Sequence, residues 1–280
     1  MDLTIDHVSI AGEPLEQMER QLSEAGLPPT YGGVHDNDAT HMSTVGFADG
    51  SYLELISALD PDTESPWWNW HIHENAGPCA WAAHVEDVEA AATEFAERGI
   101  PVAGPDRITR EREDGVVVEF ELAFLGGGEP GTELPFLIGD VTPRERRIAP
   151  DPATEAVGLE GVAEVVLGVP NVGSTLDRFR HAFDVGGTTE ASRLDLGAVV
   201  HRMPELPVSL ALPVGEGWLA DRVHKFEVCP CCYLLAASDF ERALDRLPIE
   251  EEEDRWNGRR LAWFDEGLFP GGRLGILGPE

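Results

Sequence analysis

Residues 5–26 read IDHVSIAGEPLEQMERQLSEAG, and this stretch decides the fold. From residue 5 to 11 apolar and polar side chains interleave as in a half-buried strand. Gly12-Glu13-Pro14 breaks that pattern; Leu15, Met18, Leu22 and Ala25 then recur at helical spacing, and Gly26 stops the helix. The same order returns at residues 80–85 with the helix stripe Val88, Ala91, Ala92 and Phe95. It returns again at 162–169 with Val172, Leu176, Phe179 and Phe183, and at 232–237 with Phe240, Ala243, Leu244 and Leu247. Strand-like runs follow each copy: 31–35, 41–47 and 51–58, then 116–125 and 134–138, then 198–203 and 208–212, then 261–264 and 273–277. The spacing therefore predicts an α+β chain of four βαβββ units. The proline-rich, acidic segment Ile148-Ala149-Pro150-Asp151-Pro152-Ala153-Thr154-Glu155 divides copies two and three. It predicts domains at 1–147 and 158–280 with a linker at 148–157.

Across 280 residues, 20 Lys and Arg face 52 Asp and Glu, a net charge of −32, and Lys225 is the single lysine. Such a surface repels phosphates, so nucleic acid and anionic membrane are not expected partners. A basic leader and a long apolar span are not seen in the sequence, which reads as a cytoplasmic chain, monomeric or homodimeric. The charge is spread along the sequence, the pattern that a salt-rich cytoplasm favours. Four cysteines, three of them at Cys229, Cys231 and Cys232, form no disulfide framework and read as buried or incidental thiols.

The segments Ile5-Asp6-His7-Val8-Ser9-Ile10, Thr40-His41-Met42, Phe47-Ala48-Asp49-Gly50-Ser51-Tyr52-Leu53-Glu54-Leu55-Ile56 and Leu134-Pro135-Phe136-Leu137-Ile138 resemble the vicinal oxygen chelate superfamily, and within it the glyoxalase-like domain proteins. The resemblance covers about residues 3–140; the C-terminal half shares only the repeated architecture. It implies that paired units curl into open barrels, two units to each. It also implies that first and last strands of a unit supply ligands to a divalent metal, which binds two neighbouring oxygens of a small substrate.

Strand alternation tests whether the matching residues share a cleft. Val8, Ile10, Leu53 and Leu55 belong under the helices, which leaves His7, Ser9, Tyr52, Glu54 and Ile56 inward. His7 and Glu54 are the expected metal ligands. The match at Thr40-His41 turns His41 toward the cleft as the acid/base, while His35, across the Asp36-Asn37-Asp38 loop, has no assigned role. Tyr52, Trp67, Trp70 and Trp81 are the expected substrate walls, because flat aromatic faces suit a small apolar ligand. His71 and His73 pack or, if on a strand, supply further ligands.

Elsewhere the repeat departs from a complete ligand set. The positions equivalent to His7 hold Ala80, Glu164 and Cys232, and those equivalent to Glu54 fall near Phe136, Leu210 and Ile276. The resemblance implies that a ring-cleaving dioxygenase would carry a His-His-Glu iron site in its second pair of units, and Glu164, Cys232 and Ile276 in those places argue against that chemistry. Arg144, Arg146 and Arg147 read as surface ion pairs. The leading expectation is a metal-dependent isomerase, lyase or hydrolase acting on a small oxygenated metabolite. The alternative is a metal-free protein that sequesters a small molecule in the same cleft. If the charge is an adaptation to salt, raising KCl from millimolar to molar raises the unfolding temperature by screening carboxylate repulsion. A salt-independent melting curve contradicts that reading.

Overall fold

The computed structural model describes residues 3–112, 114–269 and 271–279, so Met1, Asp2 and Glu280 at the predicted domain ends lie outside the described residues. The first unit runs β1 (Thr4–Ala11), α1 (Leu15–Glu24), β2 (Thr30–Val34), β3 (Thr40–Gly46) and β4 (Tyr52–Ala58). A short α2 (Asn69–His73) leads to β5 (Gly77–His84), α3 (Val88–Glu97), β6 (Val102–Glu111), β7 (Val117–Leu125) and β8 (Phe136–Asp140). After α4 (Pro152–Ala156) the pattern repeats as β9 (Leu159–Gly168), α5 (Val172–Phe183), β10 (Thr189–Arg193), β11 (Ala198–Met203) and β12 (Val208–Pro213). Finally α6 (Trp218–Phe226) precedes β13 (Cys229–Ala237), α7 (Phe240–Arg246), β14 (Ile249–Glu251), β15 (Leu261–Phe264) and β16 (Arg273–Leu277). The four βαβββ units are present, with β6, β10 and β14 added to the strands read from the sequence.

Two eight-stranded sheets result, ordered β2-β3-β4-β1-β5-β8-β7-β6 and β10-β11-β12-β9-β13-β16-β15-β14. In each, the first strands of two units pair antiparallel and join the units into one curled half-barrel. Val8, Ile10, Leu53 and Leu55 pack beneath α1 with Leu15, Met18 and Leu22. His7, Ser9, Tyr52 and Glu54 take the other face, as alternation requires. The β1–β5 pairing shifts register twice, between Ile5 and His7 and between Ser9 and Ile10, and Ile5 joins the core under the helix. Asp87, Asn171 and Asp239 cap α3, α5 and α7 by accepting from Ala90, Ser174 and Arg242 N–H groups. No helix among the described residues is long and apolar enough to cross a membrane.

The halves share one apolar core. The Tyr233 hydroxyl on β13 shares its proton between the carbonyls of Ser9 at 2.8 Å and Ala80 at 2.7 Å. The buried Arg222 guanidinium on α6 donates to the carbonyls of Ala76 and Pro78 in the first half and of Pro230 and Gly271 in the second. The segment 148–157 is packed too: Asp151 N–H and the Thr154 hydroxyl both donate to Gly46 O.

The equivalent face of the second sheet is filled by its own side chains, among them Val166, Leu234, Trp256 and Trp263. Cys231 and Cys232 belong to this cluster, and all four cysteines are free and buried. Glu164 lies inside it, accepting from the Ser209 hydroxyl and from Trp256 Nε1 at 3.0 Å. Burial raises its carboxyl despite those hydrogen bonds. Strand register puts Val166 opposite Ser209, as Ser9 lies opposite Glu54, so Ser209 rather than Leu210 takes the Glu54 position.

Because Arg222 satisfies carbonyls in both halves, Arg222→Met is expected to lower the unfolding free energy by about 3 kcal/mol. Urea titration measures this; a loss below about 1 kcal/mol means that the arginine does not tie the halves together.

Candidate active site

The concave face of the first sheet holds a cavity that opens to solvent. At its polar end lie His7 from β1, Glu54 from β4 and His35 from the turn after β2. His7 Nε2 is 3.9 Å from Glu54 Oε2, and His35 Nε2 is 3.5 Å from Glu54 Oε1. The Ser9 hydroxyl donates to Glu54 Oε2 at 2.7 Å. Burial alone would push the Glu54 carboxyl up; the His35 contact, the nearby His7 and the Ser9 hydrogen bond outweigh it and bring it down to about 2.

The Nδ1 atoms of both histidines are taken. His7 Nδ1 lies 2.7 Å from Asp6 Oδ1, and His35 Nδ1 lies 2.8 Å from the Thr40 hydroxyl. Asn37 shapes the His35 turn by accepting from the N–H groups of Ala39 and Thr40. The His7 ring stacks on Tyr52 with centroids 4.5 Å apart and meets the edge of Phe136 at 5.2 Å. Each imidazole thus has one nitrogen fixed by the scaffold and the other turned to Glu54.

Asp6 anchors this end. It is fully buried and accepts from Arg147 Nη1 and Nη2, both at 2.9 Å, and from Arg144 Nη1 at 2.7 Å. Arg147 also donates to both oxygens of Asp140 and to the Tyr52 hydroxyl. Burial favours the neutral acid, but the Arg147 charge and the contacts from His7, His84 and Arg147 hold the Asp6 carboxyl well below its usual range. Arg144 and Arg147 are therefore the buttress of the site rather than the surface pairs expected from the sequence. Asp6, His84 and Asp140 do bring three ligand-type atoms within 4.8 Å of one another. Their carboxylates, however, are already committed to Arg144 and Arg147.

An aromatic wall continues from the His7 ring through Phe136. Trp67 meets Phe124 at 5.2 Å, Phe124 meets Phe136 at 6.0 Å, and Trp68 meets Phe136 at 6.3 Å between centroids. The Trp68 indole N–H donates to Pro130 O. Tyr52, Trp67 and its neighbour Trp68 line the cavity, and so do Phe120 and Phe124, which the sequence reading did not single out.

Several expected site residues lie elsewhere. His41 is on the helix side of β3: its neighbours are Glu16 and Glu19 of α1, and its edge meets Tyr31. Met42 and Thr44 take the cleft side, because Ser43 donates to Glu19 under the helix and Val45 belongs to the core. Burial lowers the His41 imidazole, only partly opposed by Glu16 and Glu19. Trp81 is wholly buried in the core under the helices, since Ala80 and Ala82 take the cleft-side positions of β5. Trp70 is exposed beneath the Lys225 ammonium. His71 and His73 sit on a helix, not a strand: His71 stacks on Phe226 and His73 lies 3.2 Å from Glu13. Burial, with Arg222 nearby, brings His71 down to about 4.

The model of the glyoxalase-like domain family matches residues 5–183, and the chain belongs to that family. The match crosses the 148–157 segment and ends with α5. Comparison with curated protein sequences gives no match. Among solved structures, a hypothetical protein from Staphylococcus aureus is similar at TM-score 0.62 and 12% identity, over 99% of this chain and 100% of its own. A mutant 4-hydroxymandelate synthase from Streptomyces coelicolor gives 0.60 and 13%, over 99% and 92%. The Mn(II)-bound glyoxalase from Novosphingobium aromaticivorans gives 0.56 and 13%, over 98% and 81%. These likenesses show that the tandem βαβββ fold extends over the whole chain.

Asp6→Asn leaves Arg147 short of a buried counter-charge and is expected to cost about 3–5 kcal/mol at neutral pH. Because the folded-state pKa of Asp6 is depressed, its contribution is complete above its unfolded value and is lost as pH falls below it. Urea titrations from about pH 7 to about pH 3 should therefore show a shallower acid slope in the variant. Equal slopes contradict the buttress.

Proposed function

We propose that the first half-barrel is a metal-assisted site for a small oxygenated metabolite, with His7, His35 and Glu54 as the residues that would hold a divalent ion. The observation that carries this reading is that two imidazole Nε2 atoms approach the two oxygens of one buried carboxylate at the head of an aromatic cavity. The donor set fits: two imidazole nitrogens and a carboxylate that stays ionised suit manganese, iron(II), zinc or nickel. A bound ion would supply Lewis acidity to two neighbouring substrate oxygens, the requirement of isomerase, lyase or hydrolytic chemistry. The chain itself supplies orientation. Asp6 and Thr40 fix the two imidazoles, and Tyr52 and Phe136 hold the His7 ring between them. Trp67, Phe124 and Phe136 cover the substrate body and exclude water around the reacting oxygens.

One observation favours a metal-free binding protein instead. Glu54 already has Ser9, His7 and His35 as partners, and the second unit faces the cleft with Ala80, Ala82, Phe136 and Ile138, none of them a ligand. Calorimetric titration of metal-free protein with Mn(II) or Zn(II) separates the two. The metal reading expects one site of micromolar or tighter affinity, lost in His7→Ala/Glu54→Ala and weakened about tenfold or more in His35→Ala. No binding, or equal binding by the double variant, moves the function to metal-free sequestration.

A further inference from the structure

We infer that the cavity selects a small aromatic carboxylate, and that Arg110 is the cation that receives its acid group. The inference rests on the first cleft being a ligand site, but not on a metal being held there.

In a chain with 52 acidic residues and 20 Lys and Arg, a buried arginine is expected to find a carboxylate. Arg147 and Arg193 do, while buried Arg222 is satisfied instead by the carbonyls of Ala76, Pro78, Pro230 and Gly271. Arg110 does not: among the described residues no carboxylate oxygen forms a salt bridge with it, although it is only 9% exposed. Nη1 donates to Gly32 O at 3.1 Å and lies 3.6 Å from Met42 Sδ, while the buried Nε has no partner. A guanidinium in that state is costly unless something else supplies the negative charge.

The placement of Arg110 says where that charge would come from. Strand β6 is exposed along most of its length, and Arg110 is its one buried residue. Two residues before it, Ile108 also lines the cavity, as strand periodicity requires. Arg147 lines the cavity as well, but Asp6 and Asp140 already occupy it. Glu54 acts on Arg110 through space while its oxygens are engaged by Ser9, His7 and His35. Burial pulls the Arg110 guanidinium below its usual range, Arg147 and Arg112 add to that pull and Glu54 opposes it; a bound carboxylate would reverse it. The remaining surface of the cavity, with Phe120, Phe124, Phe136 and Trp67, is the complement of a flat apolar body. Acid group on Arg110 and ring on the aromatic wall make a two-point recognition. It rejects a neutral isostere, which leaves the guanidinium unpaired.

The test uses the full-length, metal-free protein with phenylacetate and phenylacetamide as probes, followed by Trp fluorescence and calorimetry. Phenylacetate is expected to bind about tenfold or more tightly than the amide. Arg110→Met should abolish that preference, and Arg110→Lys, which keeps the charge and guards against a folding defect, should retain part of it. Because no metal is present in these titrations, failure of the metal reading leaves the preference untouched, and the two readings are tested separately. Equal affinity for the two probes, an unchanged preference in Arg110→Met, or no saturable binding of phenylacetate overturns the inference.

Discussion

The first cleft depends on one carboxylate that water does not reach. Asp6 ties β1 of the first unit to the turn after β8 of the second, through Arg144 and Arg147, and so closes the half-barrel at its base. The same carboxylate fixes His7 Nδ1, and Arg147 reaches on to the hydroxyl of Tyr52, against which the His7 ring is stacked. Burying so many charges is tolerable only because each has an opposite charge and hydrogen bonds. The second half shows the contrast. Ala163 and Glu164 stand where Asp6 and His7 stand in the first, Glu164 is capped by Ser209 and Trp256, and apolar side chains fill the space. One copy of the architecture keeps a cavity and the other became core.

How much of this could be read from the sequence follows from what each strand buries. Strands β1, β4, β5, β9 and β13 are buried on both sides or carry strong alternation, and with the four helix stripes they fixed the repeat. The face shared by His7 and Glu54 was legible too, because Val8, Ile10, Leu53 and Leu55 leave a single choice. Strand β3 gave no such choice: in Thr40-His41-Met42-Ser43-Thr44 the apolar residue is the one facing the cleft, which inverted His41. Edge strand β6 hid for the opposite reason. Almost all of it is exposed, so it has no hydrophobic alternation, and Arg110 went unread with it. His35 belongs to a turn whose shape is set by Asn37, and no periodicity reports on a turn.

The division of labour inside the cavity has a plain electrostatic logic. A surface with a net charge of −32 repels an anion at long range, so anion selection has to be local and shielded from solvent. Arg110 meets that condition, because its own strand and the cavity wall cover it. Glu54, the carboxylate nearest the proposed reaction centre, is held between two imidazoles and a hydroxyl, which limits its repulsion of a second acid group.

The central claim is that His7, His35 and Glu54 form the ion site, and an anomalous difference map from crystals grown with Mn(II) tests it most directly. The account predicts one strong peak bounded by His7 Nε2, His35 Nε2 and the Glu54 carboxylate. A peak instead among Asp6, His84 and Asp140, where Arg144 and Arg147 would have to withdraw, or no peak in the cleft at full occupancy of the added ion, contradicts it.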